Sequence, residues 1–363
     1  MSRSIRSPYH EALVPQPSND LFLRACRRGP TERTPVWFMR QAGRYQREYQ
    51  ALRKRFGILE ICRTPELATQ VTLLPVRQLG VDAAILFSDI VVPIAAMGID
   101  VRIEEGRGPL VDEPLRTSSD VGRLRPLEPE RDVPFVLEAV RMSVRELNVP
   151  LIGFAGAPFT LASYLVEGGP SRTFTRTKAL MFEDPAAWRN LMQRLGAAVL
   201  AYARAQVEAG ASAVQVFDSW VGALGPEDYR EQVLPFVRPI FEGLAGLGVP
   251  LIHFGVGTSE LLELMRDAGA DVVGVDWRIP LDRARERLGP GVAVQGNLDP
   301  AVLLAPWDVL ERRVRDVLLR AGDRPGHVFN LGHGVLPETA PGTLRRVTEL
   351  VHEASARQRV EAP

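Results

Sequence analysis

Eight short apolar runs set the terms on which this chain can fold. They cover residues 36–39, 83–88, 151–154, 213–217, 251–254, 272–275, 292–295 and 328–331. Most are too short for helices and lack apolar–polar alternation, so they read as strands buried on both faces. Between them lie amphipathic helical stretches. The clearest, "DPAAWRNLMQRLGAAVLAYARAQVEAG", has Asp184 as N-cap and Pro185 at the first helical position, and stops at Gly210. Strands alternating with such helices require parallel pairing through helical crossovers.

Eight such units favour a closed (β/α)8 TIM barrel over an open doubly wound sheet. The segment "GIDVRIEEGRGPLVDEPLR", after the second strand, reads as a small hairpin-like insertion. No Pro/Ser-rich linker and no shift of composition divides the 363 residues. The expected organisation is a single α/β domain over 21–354. A flexible lead-in over 1–20 precedes it, and a tail over 355–363 follows, where a last helix frays.

Lys plus Arg and Asp plus Glu both total 44, a formal net charge of zero. Nothing global therefore points to nucleic acid or to a membrane surface, and any anion-binding character must be local. Cys26 and Cys62 are too few for a disulfide framework or a Cys-rich metal site, and they suit a reducing cytoplasm. The first 20 residues lack an apolar signal core, and no run approaches the roughly 18 apolar residues of a membrane span.

A barrel carries its chemistry at the C-terminal ends of its strands. There the chain supplies Arg40 and Arg44, Asp89, Tyr164, Asp218 and Ser219, Gly255 and Gly257, Asp276 and Trp277, Asn297 and Asp299, and His333. The first of these ends is unusual. "PVWFMRQAGRYQREYQ" passes directly from an apolar strand to two arginines four residues apart, with Gly43 between them. A guanidinium fork binds carboxylate bidentately and stays charged in an apolar cleft. Glycine lets the backbone come close to such a ligand.

Each of these residues also has a plain structural reading. Arg40 and Arg44 can pair with acids on the rim, and Asp89 can cap a helix or join a rim salt bridge. Tyr164 and Ser219 can be buried hydroxyls satisfied by backbone. His253, inside the fifth strand, reads as a satisfied interior residue, whereas the glycines around His333 suggest close approach of a ligand. "GVGTSE" lacks the third glycine of a dinucleotide fingerprint, and no HExxH motif or His–Cys cluster is present.

"PVWFMRQAGRY" and "GFAGAPFTLASYLVEGG" resemble the two signature segments of the uroporphyrinogen decarboxylase family. "DAAILFSDIVVP" and "FNLGHGVLPET" are similar to two further stretches of it. The resemblance runs from about Leu21 to Glu349. It implies a (β/α)8 barrel, a homodimer and a cytoplasmic lyase of porphyrin and heme biosynthesis, without cofactor or metal. It implies uroporphyrinogen III as substrate, with four acetate side chains decarboxylated to methyls to give coproporphyrinogen III. The substrate-binding positions it implies are Arg40, Gln41, Ala42, Gly43, Arg44, Asp89, Tyr164, Ser219 and His333. Asp89, Arg40, Arg44, Tyr164 and His333 carry the catalytic roles among them.

The substrate that the resemblance implies gives these residues a physical task. Eight carboxylates explain an arginine clamp. A pyrrole can serve as its own electron sink, so that protonation at a ring carbon precedes loss of CO2, and an ionised Asp89 would accept hydrogen bonds from the pyrrole N–H groups and stabilise the cation. Arginine is a poor proton donor, which leaves Asp89, a water, Tyr164 or His333 as relays. Two other readings remain. Corrinoid- or thiol-linked methyltransferases of the related barrel family bind zinc through His and Cys at the mouth, and a non-catalytic tetrapyrrole-binding barrel would need the arginines but not Asp89.

Overall fold

The apolar runs pair as expected, in parallel and in chain order. Residues 17–104 and 106–360 are described in a computed structural model of the protein. Seven strands make one sheet: β1 (Ala84–Ile85), β4 (Leu151–Gly156), β5 (Ala213–Asp218), β6 (Leu251–Gly255), β7 (Val272–Gly274), β8 (Ala293–Gln295) and β9 (His327–Val328). Their order is β1-β4-β5-β6-β7-β8-β9, with every neighbour parallel. All residues of β4 and β6 are buried, which is why these strands show no alternation. Two further strands, β2 (Val101–Glu104) and β3 (Gly108–Val111), form a separate antiparallel ribbon within 98–116.

Several runs give less strand than their length suggests. Run 36–39 contributes a single parallel bridge, Val36 to Phe329. Trp37 N donates to Phe329 O (3.3 Å), and Phe329 N donates to Pro35 O (2.9 Å). On the other side Asp82 N donates to Val36 O (2.7 Å), so the segment lies between the chain preceding β1 and the chain following β9. Run 83–88 keeps only Ala84–Ile85 as strand, and run 328–331 starts one residue early and stops at Val328. Beyond these strands only isolated pairings continue, Leu86 N to Ile152 O (3.0 Å) and the parallel bridges of Phe329 to Val36 and Leu331 to Leu298, while Phe87 N turns to Thr72 Oγ1 (2.9 Å) and Leu331 N to Asn330 Oδ1 (2.7 Å).

Helix Pro185–Glu208 starts where its signals place it, with Asp184 Oδ1 accepting from Ala187 N at 3.0 Å. The stretch before β6 is two helices, Pro226–Gln232 and Leu234–Ala245, because Pro235 has no N–H to continue the first ladder. The last helix, Pro341–Val360, extends through residues expected as tail. It seals the chain start, since Ser355 Oγ accepts from Thr34 N (2.9 Å) and His352 Nε2 meets Asp82 Oδ2 (2.7 Å). Most of the expected lead-in, 1–16, and residues 361–363 lie outside the described residues.

Asp82 is buried with Val36 N, Asn19, Arg33 and His352 around it. Burial works to raise its carboxyl, but these partners hold it below the usual range. A second polar tie crosses the interior. Trp37 Nε1 donates to Gln295 Oε1 (2.9 Å), and Gln295 Nε2 donates to Gln215 Oε1 (2.9 Å). Together they fix the first segment against β8 and β5, upstream of the arginine loop. Among the described residues no helix is long and apolar enough to cross a membrane.

Candidate active site

The strand ends gather four of the predicted residues around one mouth. Asp89 follows β1, and its Oδ1 accepts from Val91 N at 3.0 Å, turning the chain into the short helix Val92–Ala96. Asp89 therefore makes a turn ahead of the helix, whose N-cap is Val91, and does not itself cap it. Burial pushes its carboxyl above the ordinary range, while the Val91 bond and the charge of Arg40 pull the other way. Tyr164 stands on helix Pro158–Glu167 after β4. Burial and the nearby Asp89 carboxylate keep its hydroxyl protonated far above the usual phenol range, against the pull of Arg40. Asp89, Arg40 and Tyr164 therefore feel one another's charge.

Arg40 occupies the left-handed region, with φ +59°, a costly conformation for a residue with a side chain. Gly43 has no such φ. The conformational demand in the motif thus falls on the arginine and not on the glycine. Neither Arg40 nor Arg44 makes an ion pair with an acid among the described residues, and both are exposed. The side chain of Gln41 points the other way: fully buried, it accepts from Phe38 N and donates to Ala83 O, each at 3.1 Å. Ala42 and Gly43 are half-buried beside it.

His333 follows β9 and sits beside Arg40. A Cβ on Gly334 would stand 2.7 Å from Arg40 Cγ, and one on Gly332 would stand 2.6 Å from Trp277 N. The glycines are needed for this packing, with protein as the close neighbour. Burial lowers the imidazole to about 4, helped by Arg40 and Arg278 and opposed by Asp276. His333 is therefore neutral at pH 7, with Nδ1 accepting from Gly334 N (2.6 Å) and Nε2 left to carry the proton. Ser219, half-buried, ends β5 next to Trp220, whose ring lies 4.0 Å from that of Tyr164 between centroids.

Below Ser219 lies a polar group that the sequence did not signal. Asp218 Oδ1 accepts from Thr160 Oγ1 (3.0 Å), and its Oδ2 is 3.8 Å from His253 Nε2. Both atoms are buried without a hydrogen-bond partner, as is the Tyr229 hydroxyl. His253 is interior as expected, but its ring is only partly satisfied, through Nδ1 and Met265 O at 3.4 Å. Cys26 and Cys62 are buried, and burial together with Asp89 pushes the Cys62 thiol up to about 12. Among the described residues no three His, Cys, Asp or Glu side chains are grouped so as to hold a metal.

The model of the family described as uroporphyrinogen decarboxylase matches residues 17–354. The chain belongs to the uroporphyrinogen decarboxylase family. It is 60% identical to the uroporphyrinogen decarboxylase of Salinispora tropica, over 94% of this chain and 92% of that one. It is 58% identical to a uroporphyrinogen decarboxylase of Thermus thermophilus, over 93% of this chain and 99% of that one. Among solved structures it resembles a methyltransferase from Methanosarcina mazei, with a TM-score of 0.75 at 21% identity over 93% of this chain and 99% of that one. At that identity the likeness is one of fold.

The residues near this mouth that the sequence reading overlooked are Trp220 and Arg278. Each lies a few residues at most beyond a strand end, in loops brought to His333 and Tyr164 only by the sheet's curvature. Asp276 and Trp277 did stand out as strand-end residues, but nothing in the sequence ties them to His333.

Proposed function

We propose that this chain decarboxylates the four acetate side chains of uroporphyrinogen III, giving coproporphyrinogen III and four CO2, in porphyrin and heme biosynthesis. The observation that carries the reading is the meeting of Asp89, Arg40, Tyr164 and His333 at one mouth, in a member of this family.

Each acetate, R–CH2–COO⁻, becomes R–CH3 and CO2 with net uptake of one proton. Protonation of a pyrrole carbon makes the ring cationic. The C–C bond then breaks, its electron pair neutralises the ring, and CO2 leaves. A proton on the exocyclic carbon makes the methyl, and loss of the first proton restores the pyrrole. Asp89 Oδ1 is engaged by Val91 N, and its carboxylate offers the remaining lone pairs to pyrrole N–H groups and faces the ring cation in a cleft where fixed charge is strong. Arg40 favours the ionised form of Asp89 and, with Arg44, binds carboxylates. Tyr164 and the Nε2–H of His333 donate to substrate oxygens, and Ser219 lines the floor. Gln41, Ala42 and Gly43 contribute through the backbone of the loop.

The sheet closes as a (β/α)8 barrel in which the 35–38 segment is the eighth stave. The bonds of Trp37, Phe329 and Pro35 on one edge and of Val36 and Asp82 on the other support this closure. The β2–β3 ribbon is the insertion, and 21–354 is one domain. The family resemblance carries a homodimer, and zero net charge and free buried thiols agree with a cytoplasmic protein that binds no nucleic acid. Anaerobic incubation with uroporphyrinogen III, with products sorted by carboxylate number, tests the activity. Seven- to four-carboxylate products are expected, and unchanged substrate would reject the reading.

A further inference from the structure

The loop after β7 places another guanidinium at the same mouth. Asp276 is buried and fixed by three bonds: from Gly257 N to Oδ2 (2.6 Å), from Arg278 N to Oδ1 (3.0 Å), and from Arg278 Nη1 to Oδ2 (2.6 Å). Asn297 Nδ2 holds the Asp276 carbonyl at 2.9 Å. The guanidinium carbon of Arg278 lies 4.2 Å from the centre of the Trp277 ring. One face of the fork is thus stacked and one corner bonded, while the side chain remains 48% exposed. The backbone of Trp277 packs against Gly332, the residue before His333, and Arg40 packs against Gly334, the residue after it. The Arg278 loop and Arg40 therefore pack on the two residues that adjoin His333 in the chain, and both charges reach its imidazole.

A guanidinium held on a tryptophan and an aspartate has lost much of its rotational freedom before any ligand arrives. Its Nε and Nη2 edge has no acid partner among the described residues. Arg287, by contrast, gives both Nε and Nη2 to Glu263 and has no such edge to offer. A preorganised fork with a free edge is built to take a carboxylate.

We infer that Arg278 is a specificity-determining residue that binds a peripheral carboxylate of the macrocycle which survives turnover, a propionate and not a leaving acetate. This rests on the decarboxylase reading. The position favours a retained group. Arg278 is half-exposed at the rim, whereas a reacting acetate must lie close to the Asp89 carboxylate inside the cleft. An interaction equal in the ground and transition states lowers KM without altering kcat.

The test uses Arg278→Gln and Arg278→Lys in the full-length protein. Steady-state decarboxylation of uroporphyrinogen III is measured together with equilibrium binding of two oxidised, unreactive macrocycles. One is uroporphyrin, with eight carboxylates, and the other is coproporphyrin, which keeps only the four propionates. For Arg278→Gln a roughly tenfold rise in KM is expected, the scale of a charge-assisted bond at a half-exposed site, with kcat within about twofold. Both porphyrins should lose about the same factor, Arg278→Lys should lie between, and the melting temperature should hold. Unchanged binding of both porphyrins overturns the inference while leaving the decarboxylase reading intact. Weakening of uroporphyrin alone overturns the propionate assignment. A fall in kcat and melting temperature with unchanged porphyrin affinity would make Arg278 a support for Asp276 only. Tight porphyrin binding without CO2 release by the unmodified protein would reject the decarboxylase reading, and the inference with it.

Discussion

Asp89 concentrates the conflict on which the proposed chemistry depends. Its carboxyl is raised by burial, so holding it ionised at neutral pH costs folding stability that a neutral side chain would not. Asn keeps an oxygen for Val91 N and removes the charge. Asp89→Asn should therefore melt no lower than the parent at pH 7, while kcat falls by about 10²–10³-fold, as when one preorganised electrostatic group is deleted. Calorimetry and turnover on the same preparation decide this. A stable Asp89→Asn protein with near-parental kcat would remove the central carboxylate from the mechanism. Arg40→Lys and Arg44→Lys keep the charge but lose the fork, and each should lower kcat/KM by about 10–100-fold, on the scale of a charge-assisted bond.

At the level of elements, two loops far apart in sequence share one packing contact. Arg40 leaves the first strand segment in a left-handed turn and rests on Gly334 of the loop after β9. Gly334→Ala should displace Arg40 with little effect on folding, because the far end of that side chain faces the mouth. Substrate affinity and kcat should both fall, and a second change, Arg40→Ala, should abolish the difference between Gly and Ala at 334. A double-mutant cycle in kcat/KM measures that coupling. The same contact marks the limit of what was legible in the sequence. Runs 151–154, 213–217 and 251–254 announce β4, β5 and β6, because a strand buried on both faces is written as a local apolar block. Asp184 and Pro185 likewise announce their helix through local signals. Runs 83–88 and 328–331 give shorter strands than their length suggests, because Thr72 and Asn330 take the N–H groups of Phe87 and Leu331 and only isolated bonds and bridges continue past Ile85 and Val328. The arginine loop, Asp89, Tyr164 and His333 are found through their motifs. Arg278 and the Asp218–His253 pair are not, because their meaning lies in residues some 35 to 60 positions away.

For the molecule as a whole, acid should act through His333 before it acts through the buried carboxylates. The imidazole of His333 is lowered to about 4 from an ordinary value near 6.5. The unfolded chain therefore binds this proton first, and stability present above about pH 6.5 is lost as pH falls toward 4. Asp82, held below its ordinary value, adds stability that persists until the pH drops below about 3.9 and is then lost as its folded value is passed. Melting temperatures between pH 7 and 4.5 should fall less steeply for His333→Gln than for the parent, and parallel slopes would show that His333 is not the group that titrates. The contacts of the arginine loop and its neighbours with the chain after β9 also bear on synthesis. Arg40 is made long before its backing at Gly334, and Thr34 and Asp82 long before the helix that seals them. A nascent chain on the ribosome can form its middle strands and helices early, yet its arginine loop lacks this support until Gly334 has been added and has emerged. On the proposed mechanism, a product that stops before Gly334 can have its middle strands but no backed arginine with which to hold a carboxylate.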